Sequence, residues 1–330
     1  MPASFGMERI RYPAIHRTVS QTALGCMHFG QGDAPLPRAR AALETALAVG
    51  IDFFDHADIY AGGRSESVFG QIMEELKLDR SALVLQSKCG IRFADDPAPG
   101  APHRFDFSRE HIIRSVEGSL QRLRTDYLDI LLLHRPDFLM DPEEVASAFA
   151  HLRESGKVRA FGVSNQTPSQ IALLRPYMAS PLVANQVEFS LLKTSLLDTA
   201  MVSEGRFPTS GCAGDGTLDF HRIQGIHTQA WAPLAYGYLS GRTPGDPLPE
   251  PYRSAAERVT PMVLNLARAH GCAPETILLS WILRHPAGIQ PIVGTRDPAR
   301  IAASAAATSD LLSREDWYRL YLASRGRPLP

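Results

Sequence analysis

Hydrophobic residues occur along this chain in short, nearly continuous runs, and a stretch with helical spacing follows each run. The runs lie at 22–26, 51–55, 82–88, 127–134, 158–163, 182–187, 226–231 and 289–293. Continuous rather than alternating hydrophobicity is typical of strands buried on both faces, as in a parallel sheet. Eight such strand–helix units predict an α/β chain that folds as one (β/α)8 TIM barrel domain over residues 1–330.

Between the hydrophobic runs, capping residues and prolines mark the starts of helices. Asp141-Pro142-Glu143-Glu144 combines a capping carboxylate, a proline at the first helical position and a further carboxylate. Thr167-Pro168-Ser169-Gln170 repeats this pattern, and Ser108 is positioned to cap another helix. The rival architecture is an open doubly wound sheet, which predicts a Gly-rich dinucleotide loop after the first strand. No GxGxxG sequence occurs in the chain, so the barrel is favoured.

Other segments extend this plan. Residues 8–20 predict a hairpin across the bottom of the barrel, and residues 311–330 predict a C-terminal helix and tail. Residues 199–217 are rich in Gly, Ser and Thr and predict a loop insertion between the sixth strand and its helix. That insertion is equally consistent with a pocket cover and with a surface loop. Residues 240–253 are rich in Pro and Gly and also predict a loop.

Four polar residues stand at or just beyond the ends of apolar runs. Asp55, Lys88 and His134 close three of them, and Tyr60 follows Asp55 by five residues. The carboxyl ends of the strands of a barrel meet at its active face, so these side chains should lie together. Taken singly, an Asp or a Lys at the end of a strand is more typical of a solvated rim residue. A single His after an apolar run is more typical of the core. Only their joint occurrence indicates a catalytic site.

These four groups suit the delivery of a proton to a carbonyl oxygen. Charge develops on that oxygen when a hydride reaches the carbonyl carbon. A free tyrosine has a pKa of about 10, and a neighbouring ammonium such as Lys88 is expected to lower it. Asp55 would provide the counter-charge that a buried ammonium requires. Neutral His134 would orient the carbonyl oxygen through a hydrogen bond.

Composition narrows the functional class further. With 44% hydrophobic residues, 21% charged residues and a net charge of -1, no global positive field would attract nucleic acid or an anionic membrane. No membrane span or secretory signal is evident, so we expect a cytoplasmic protein. The four cysteines lie far apart and form no zinc motif, so no metal is predicted. The sequence leaves the oligomeric state open.

Three segments carry a family resemblance across about residues 20–323. GIDFFDHADIYAGGRSE (50–66), LDILLLHRPD (128–137) and GKVRAFGVSNQ (156–166) resemble the motifs of the aldo-keto reductase family. The second segment has the form found in bacterial oxidoreductase members. The resemblance implies a barrel, NAD(P)H-dependent reduction of a small-molecule carbonyl substrate, and Tyr60 as the proton donor.

The resemblance also implies a set of cofactor contacts. Ser164, Asn165 and Gln186 match the residues that bind the nicotinamide carboxamide, and Trp231 matches the ring that stacks on the nicotinamide. Leu234 and Gly241 match pyrophosphate contacts. Without the family resemblance, Trp231 would be interpreted as a residue of the hydrophobic core.

A strand, a turn and a helix at 291–304 favour a phosphate site. Backbone N–H groups at the helix start marked by Asp297 would face an anion, and arginine binds phosphate through two parallel hydrogen bonds. A solvated helix start with surface arginines is the alternative. The resemblance assigns the 2′-phosphate of NADP(H) and an adenine contact here. Many relatives carry lysine where this chain has Gly294, which weakens the NADP preference. The assigned residues are Thr295, Arg296 and Arg300 for the phosphate and Ser304 for the adenine.

The sequence therefore predicts an NADPH-dependent reductase of an aldehyde or ketone. A cofactor-binding regulatory or sensor subunit with slow turnover is the first alternative. An aldolase or isomerase that uses Lys88 as a Schiff base is the second. The substrate and the direction of the reaction stay open. Residues that follow strand ends form candidate pocket walls: Met27, His28, Phe93, Phe138, Phe189 and Tyr236.

Overall fold

An N-terminal hairpin opens the computed structural model, which describes residues 7–198, 216–242 and 246–329. Strands β1 (Arg9–Tyr12) and β2 (Arg17–Ser20) pair antiparallel around a 3-10 turn at Pro13–Ile15. Tyr12 and Val19 are buried and pack with Phe53 and Ile130 of later strands. The hairpin therefore closes one end of the interior formed by those strands.

Eight parallel strands form a closed barrel, which confirms the predicted (β/α)8 architecture. Each strand overlaps one of the hydrophobic runs. A two-stranded antiparallel ribbon, β6 (Ile91–Arg92) with β7 (Arg104–Phe105), extends beyond the third barrel strand. Around the barrel the strands are β3 (Ala23–Gly25), β4 (Phe53–Asp55), β5 (Val84–Cys89), β8 (Leu128–Leu133), β9 (Val158–Ser164), β10 (Ala184–Glu188), β11 (His227–Trp231) and β12 (Gln290–Val293), which closes on β3.

The two-residue period of a strand decides which side chains enter the barrel. On β4, Phe53 joins the inner core with Tyr12, whereas Phe54 joins the outer core beneath the helices. The same alternation gives Val84 inside and Leu85 outside on β5. Asp55, two residues after Phe53, and Lys88, four residues after Val84, continue the inward series of their strands. Their convergence at the carboxyl end of the barrel is therefore a consequence of strand register.

Helices surround the strands and bury their apolar faces against the outer core. Side-chain caps begin several of them, including Ser108, Asp141 and the capping box of Thr167 with Gln170. The helices are α1 (Pro35–Ala48), α2 (Arg64–Glu75), α3 (Arg109–Leu123), α4 (Pro142–Glu154), α5 (Pro168–Leu174), α6 (Ser195–Asp198), α7 (Thr217–Gln224), α8 (Tyr252–His270), α9 (Pro274–Leu283), α10 (Pro298–Ala305) and α11 (Arg314–Arg325).

The predicted loops need two corrections. Most of the insertion at 199–217 lies outside the described residues, but Thr217 is already the first residue of α7. The predicted loop at 240–253 ends earlier than expected, because α8 begins at Tyr252 directly after Pro251. The spaced apolar residues of α8 start at Ala255, so periodicity alone missed its first turn. Within the described residues, no helix is long and apolar enough to cross a membrane.

Candidate active site

The Lys88 ammonium lies at the centre of the four converging side chains. Its Nζ is 2.6 Å from Asp55 Oδ2, 3.1 Å from Tyr60 Oη and 2.8 Å from the backbone oxygen of His56. Lys88 is only 1% exposed. Three acceptors satisfy the three donors of an ammonium. Burial lowers the pKa of Lys88, but Asp55 and Tyr60 together raise it above its ordinary value. An ammonium held in this way is a poor Schiff-base nucleophile, which argues against the aldolase alternative.

Tyr60 and His134 meet edge to face beside this ammonium. Their ring centroids are 5.9 Å apart, and both side chains line the same cavity. Burial, and then the charges of Lys88 and Arg135, hold the pKa of His134 well below its usual range. His134 is therefore neutral at physiological pH. Its buried Nδ1 has no hydrogen-bond partner among the described residues.

The pKa of Tyr60 differs from the sequence-based expectation. Burial raises it, Lys88 lowers it and Asp55 raises it again, so that the pKa lies above its ordinary value rather than below. The sequence could show that an ammonium lies nearby but not how strongly the surrounding protein desolvates the phenol. The phenol therefore stays protonated at neutral pH, and Lys88 reduces the cost of forming the tyrosinate.

A cavity of about 940 Å³ runs from the four side chains across the carboxyl end of the barrel. Lys88 lies behind its wall, whereas Asp55, Tyr60 and His134 line it. Most of the residues predicted to contact a cofactor also line it: Ser164, Asn165, Gln186, Trp231, Leu234, Thr295, Arg296 and Arg300.

At the catalytic end of the cavity, hydrogen bonds order a group of amides beside an indole ring. Asn165 Oδ1 accepts from Trp231 Nε1 at 2.9 Å, and Asn165 Nδ2 donates to Ser164 Oγ at 2.7 Å. Asn165 has a φ of 56°, a left-handed conformation that asparagine tolerates better than most residues. Arg135 lies over the Trp231 ring, with its Cζ 5.3 Å from the centroid. Polar amides beside an aromatic face fit a planar carboxamide-bearing ring such as nicotinamide.

At the other end of the cavity, several arginine side chains lie close together. Arg296 Nη1 donates to Gln31 O at 3.1 Å, and burial and then the charge of Arg38 of α1 lower the pKa of Arg296. Arg300 Nε donates to Glu275 Oε1 at 3.2 Å. Asp297 Oδ1 accepts from the backbone N–H groups of Ala299 and Arg300. These two N–H groups are therefore engaged by the cap, and the arginine side chains are the better anion donors.

Several predicted positions do not reach the cavity. Ser304, the expected adenine contact, is fully buried, and its Oγ donates to the Arg300 carbonyl within α10. Gly241 lies outside the lining and packs near Leu264. Phe189, a candidate pocket wall, lies in the core against Trp281, with ring centroids 5.3 Å apart. For Ser304 and Phe189, the sequence placed the residue on a helix or after a strand but did not reveal the direction of its side chain.

Of the other residues predicted to form the pocket walls, some line the cavity and others do not. Met27, His28 and Tyr236 line the cavity, whereas Phe93 and Phe138 are exposed and lie outside its lining. Two charged residues of the lining were missed, Arg38 and Arg135. Arg135 directly follows His134, which was a signal of its position. Arg38 sits in the first turns of α1, where nothing in the sequence connected it to the distant Arg296.

The fold and the site define a barrel oxidoreductase that depends on a nicotinamide cofactor. The family model of the aldo/keto reductase family matches residues 22–323, and the chain belongs to that family.

Among individual relatives, two are named as an oxidoreductase or reductase and one as a channel subunit. The chain is 38% identical over 289 residues to the oxidoreductase YcsN of Bacillus subtilis strain 168, covering 87% of this chain and 88% of the relative. It is 34% identical to a 6-dehydroglucose reductase of Novosphingobium aromaticivorans, with 94% of each chain covered. A putative voltage-gated potassium channel subunit beta of Schizosaccharomyces pombe is 28% identical over 84% of this chain and 80% of its own length.

A solved structure supports the fold alone. The glycerol dehydrogenase of Gluconobacter oxydans superposes with a TM-score of 0.80, covering 99% of this chain and 98% of that one, at 22% identity.

Proposed function

We propose that this protein reduces an aldehyde or ketone to an alcohol with NADPH, and that Tyr60 donates the proton. One observation carries the proposal. Lys88 Nζ bridges Asp55 Oδ2 and Tyr60 Oη at 2.6 and 3.1 Å, where a carbonyl group in the cavity could reach both Tyr60 and His134. This arrangement combines a proton donor, a cation that stabilises its conjugate base and a neutral hydrogen-bonding imidazole.

In the proposed reaction, the carbonyl carbon gains a hydride and the carbonyl oxygen gains a proton. Reduced nicotinamide supplies the hydride when it is bound. The Tyr60 hydroxyl gives its proton to the oxygen, and Lys88 stabilises the tyrosinate that remains until solvent protonates it again. His134, neutral because of its burial, holds the oxygen by a hydrogen bond and fixes its distance from Tyr60. General acid catalysis of this kind typically contributes about 10²–10⁴-fold in rate.

The residues around the cavity fit the proposed cofactor. Ser164, Asn165 and Gln186 would bind the carboxamide, and the Trp231 ring would stack on the nicotinamide. Gln186 Nε2 already donates to two oxygens, so its Oε1 would accept from the carboxamide NH₂. At the opposite end, positive charge favours NADPH over NADH because a 2′-phosphate adds about two negative charges. The groups assigned to that phosphate are Thr295, Arg296, Arg300 and the newly identified Arg38.

The direct test follows NADPH oxidation by absorbance with a panel of aldehydes and ketones, in parallel with NADH. The proposal expects turnover with several carbonyl compounds and a higher kcat/KM with NADPH than with NADH. It fails if the protein binds NADPH but oxidises it with none of the panel above the rate of Tyr60→Phe.

That failure would favour a second candidate function, a cofactor-binding regulatory or sensor subunit with slow turnover. The relative named as a potassium channel beta subunit supports this alternative. Tight NADPH binding together with turnover no faster than that of Tyr60→Phe across the panel would be its expected result.

A further inference from the structure

Four barrel strands each direct a glutamine into the barrel interior, and only one of the four, Gln186, reaches the cavity lining. Gln86 of β5, Gln186 of β10, Gln229 of β11 and Gln290 of β12 are each at most 2% exposed. Inward positions of such barrels usually carry branched apolar side chains. Buried amides are costly unless they are hydrogen-bonded, so these four must satisfy one another and their neighbours. They form a continuous column from the hairpin to Asp55.

The lower end of this glutamine column fixes its direction. Gln290 Nε2 donates to the backbone oxygen of Ser20 at 3.0 Å. Because a carbonyl oxygen only accepts, the amide of Gln290 cannot be reversed there. Gln290 Oε1 is then the acceptor, and it receives the Tyr12 hydroxyl at 2.8 Å and Gln229 Nε2 at 3.3 Å.

The same direction continues through the middle of the column. Since Gln229 Nε2 faces Gln290, its Oε1 accepts from Gln86 Nε2 at 2.9 Å and from Gln186 Nε2 at 3.1 Å. Gln229 Nε2 also donates to Gln86 Oε1 at 3.0 Å, which locks the two amides as a reciprocal pair. Each of Gln86 and Gln186 therefore keeps one N–H for Asp55.

Both remaining N–H groups converge on one oxygen. Gln86 Nε2 lies 2.6 Å and Gln186 Nε2 3.0 Å from Asp55 Oδ1, while Oδ2 faces Lys88. An oxygen that accepts two donors, in a group whose other oxygen accepts a third, suits an ionised carboxylate. The orientation of the carboxylate is thus set by two amides, of which Gln186 lines the cavity and Gln86 does not.

We propose that Gln86, oriented by Gln229, is a positioning residue that holds Asp55 Oδ2 against Lys88. This inference rests on the proposed function, since the positioning of Asp55 serves to keep the Lys88 ammonium beside Tyr60. Gln86 is the informative member of the column, because it does not line the cavity, whereas Gln186 does. A change at Gln86 can therefore alter the ammonium without removing a contact to cofactor or substrate.

The first experiment measures the titration of the Lys88 ammonium directly, without cofactor or substrate. The chain has four lysines, Lys77, Lys88, Lys157 and Lys193, so an NMR titration of ¹³Cε-lysine-labelled protein is well resolved. Loss of its signal in Lys88→Met assigns Lys88. In Gln86→Met the Lys88 signal should titrate at a lower pH than in the wild type. The Asp55 carboxylate is no longer held by Gln86 in this variant, so it lies less close to Lys88 and stabilises the ammonium less. An unchanged titration would overturn the proposal, even if the protein proves not to be a reductase.

The matched control is Asn185→Leu. Asn185 is equally buried, on the outward face of β10, where its Nδ2 donates to the Gln166 carbonyl at 2.7 Å. Loss of this amide should lower the free energy of unfolding and leave the titration of Lys88 unchanged. If both variants shift Lys88 equally, the effect is one of general destabilisation, and the proposal fails.

The second experiment measures the catalytic constants and the cofactor affinity of Gln86 variants. We expect Gln86→Met to lower kcat by about tenfold or more while the Kd of NADPH and the KM of the carbonyl substrate stay within about twofold. Gln86→Glu adds a carboxyl that donates to Asp55 only when it is protonated, so its activity relative to the wild type should recover as the pH falls. A defect in Gln86→Glu that is the same from pH 6 to pH 9 would contradict the positioning role. Inactive wild-type protein would instead reject the proposed function.

Discussion

Arg300 donates from Nε to Glu275 Oε1 at 3.2 Å, at the positive end of the cavity. Arg242 is hydrogen-bonded to the same carboxylate oxygen, and Glu275 is only 2% exposed. Two guanidiniums thus share one buried carboxylate, which leaves a net positive charge on the group. The ion pair fixes the Arg300 side chain while its terminal nitrogens stay available for a phosphate.

This relationship predicts a selective effect of Arg300→Ala. NADPH binding should weaken by about 10- to 100-fold, because a hydrogen bond to a charged group contributes roughly 1.5–3 kcal/mol. NADH binding should change by less than about threefold, since NADH lacks the 2′-phosphate. Fluorescence titration of both cofactors measures the two effects.

Arg319→Ala is the control for that experiment. Arg319 is an exposed residue of α11 that pairs with Asp316, so its loss should affect neither cofactor. Equal weakening of NADPH and NADH by Arg300→Ala would place the 2′-phosphate elsewhere.

Gly294 offers the opposite test at the same end of the cavity. A Cβ added there would meet no atom within 4 Å, and the residue lines the cavity beside Thr295. Gly294→Lys should therefore fold normally and bring an ammonium to the phosphate-binding end. NADPH should bind several-fold more tightly and NADH about as before, as read by the same titration. Gly294→Gln, which is similar in length but neutral, is the control. If both variants tighten NADPH equally, charge is not the cause.

Tyr60→Phe isolates the proton donor. The phenyl ring keeps the packing against His134, so NADPH should bind within a few-fold of its wild-type affinity. The reduction rate should fall by about 10²–10⁴-fold, because the hydroxyl is the only part that is lost. Tyr238→Phe is a suitable control, since the Tyr238 hydroxyl donates to the Asp246 carbonyl away from the cavity. Near wild-type turnover in Tyr60→Phe would mean that another group supplies the proton.

The barrel and the meeting of the four side chains were predictable because both follow from strand register. Continuous apolar runs located all eight strands, and the polar residues that end them could only face the carboxyl end of a barrel. Asp55, Lys88 and His134 were found in this way. Their distances were not predictable, since they depend on how the loop after β4 returns Tyr60 to Lys88.

Side-chain direction was the main information that the sequence lacked. Ser304 is on the expected helix but donates to the backbone of its own helix, and Asp297 caps the N–H groups assigned to an anion. The glutamine column left a signal that was not used. Gln86, Gln229 and Gln290 each lie inside an apolar run, where an amide requires an explanation. Their pairing across strands became apparent only from the barrel order.

His56 yields a prediction about stability. Its ring is wholly buried with its edge against Phe69, and neither ring nitrogen has a partner among the described residues. Burial, and then the charge of Lys88, lower the pKa of His56 from 6.5 to about 3. Between those two pH values, the unfolded chain binds a proton that the folded chain does not. The contribution of neutral His56 to stability is therefore complete above pH 6.5 and is lost progressively as the pH falls towards 3.

The variant His56→Leu removes this dependence. At pH 8 its free energy of unfolding should be close to that of the wild type or higher, because an apolar side chain replaces a ring with unsatisfied nitrogens. At pH 5 the advantage of the variant should grow by roughly 2 kcal/mol, since one and a half pH units separate pH 5 from the ordinary pKa. Urea unfolding at both pH values measures the difference, with the exposed His151→Gln as control. An advantage that is the same at pH 5 and pH 8 would mean that His56 accepts a proton inside the folded protein.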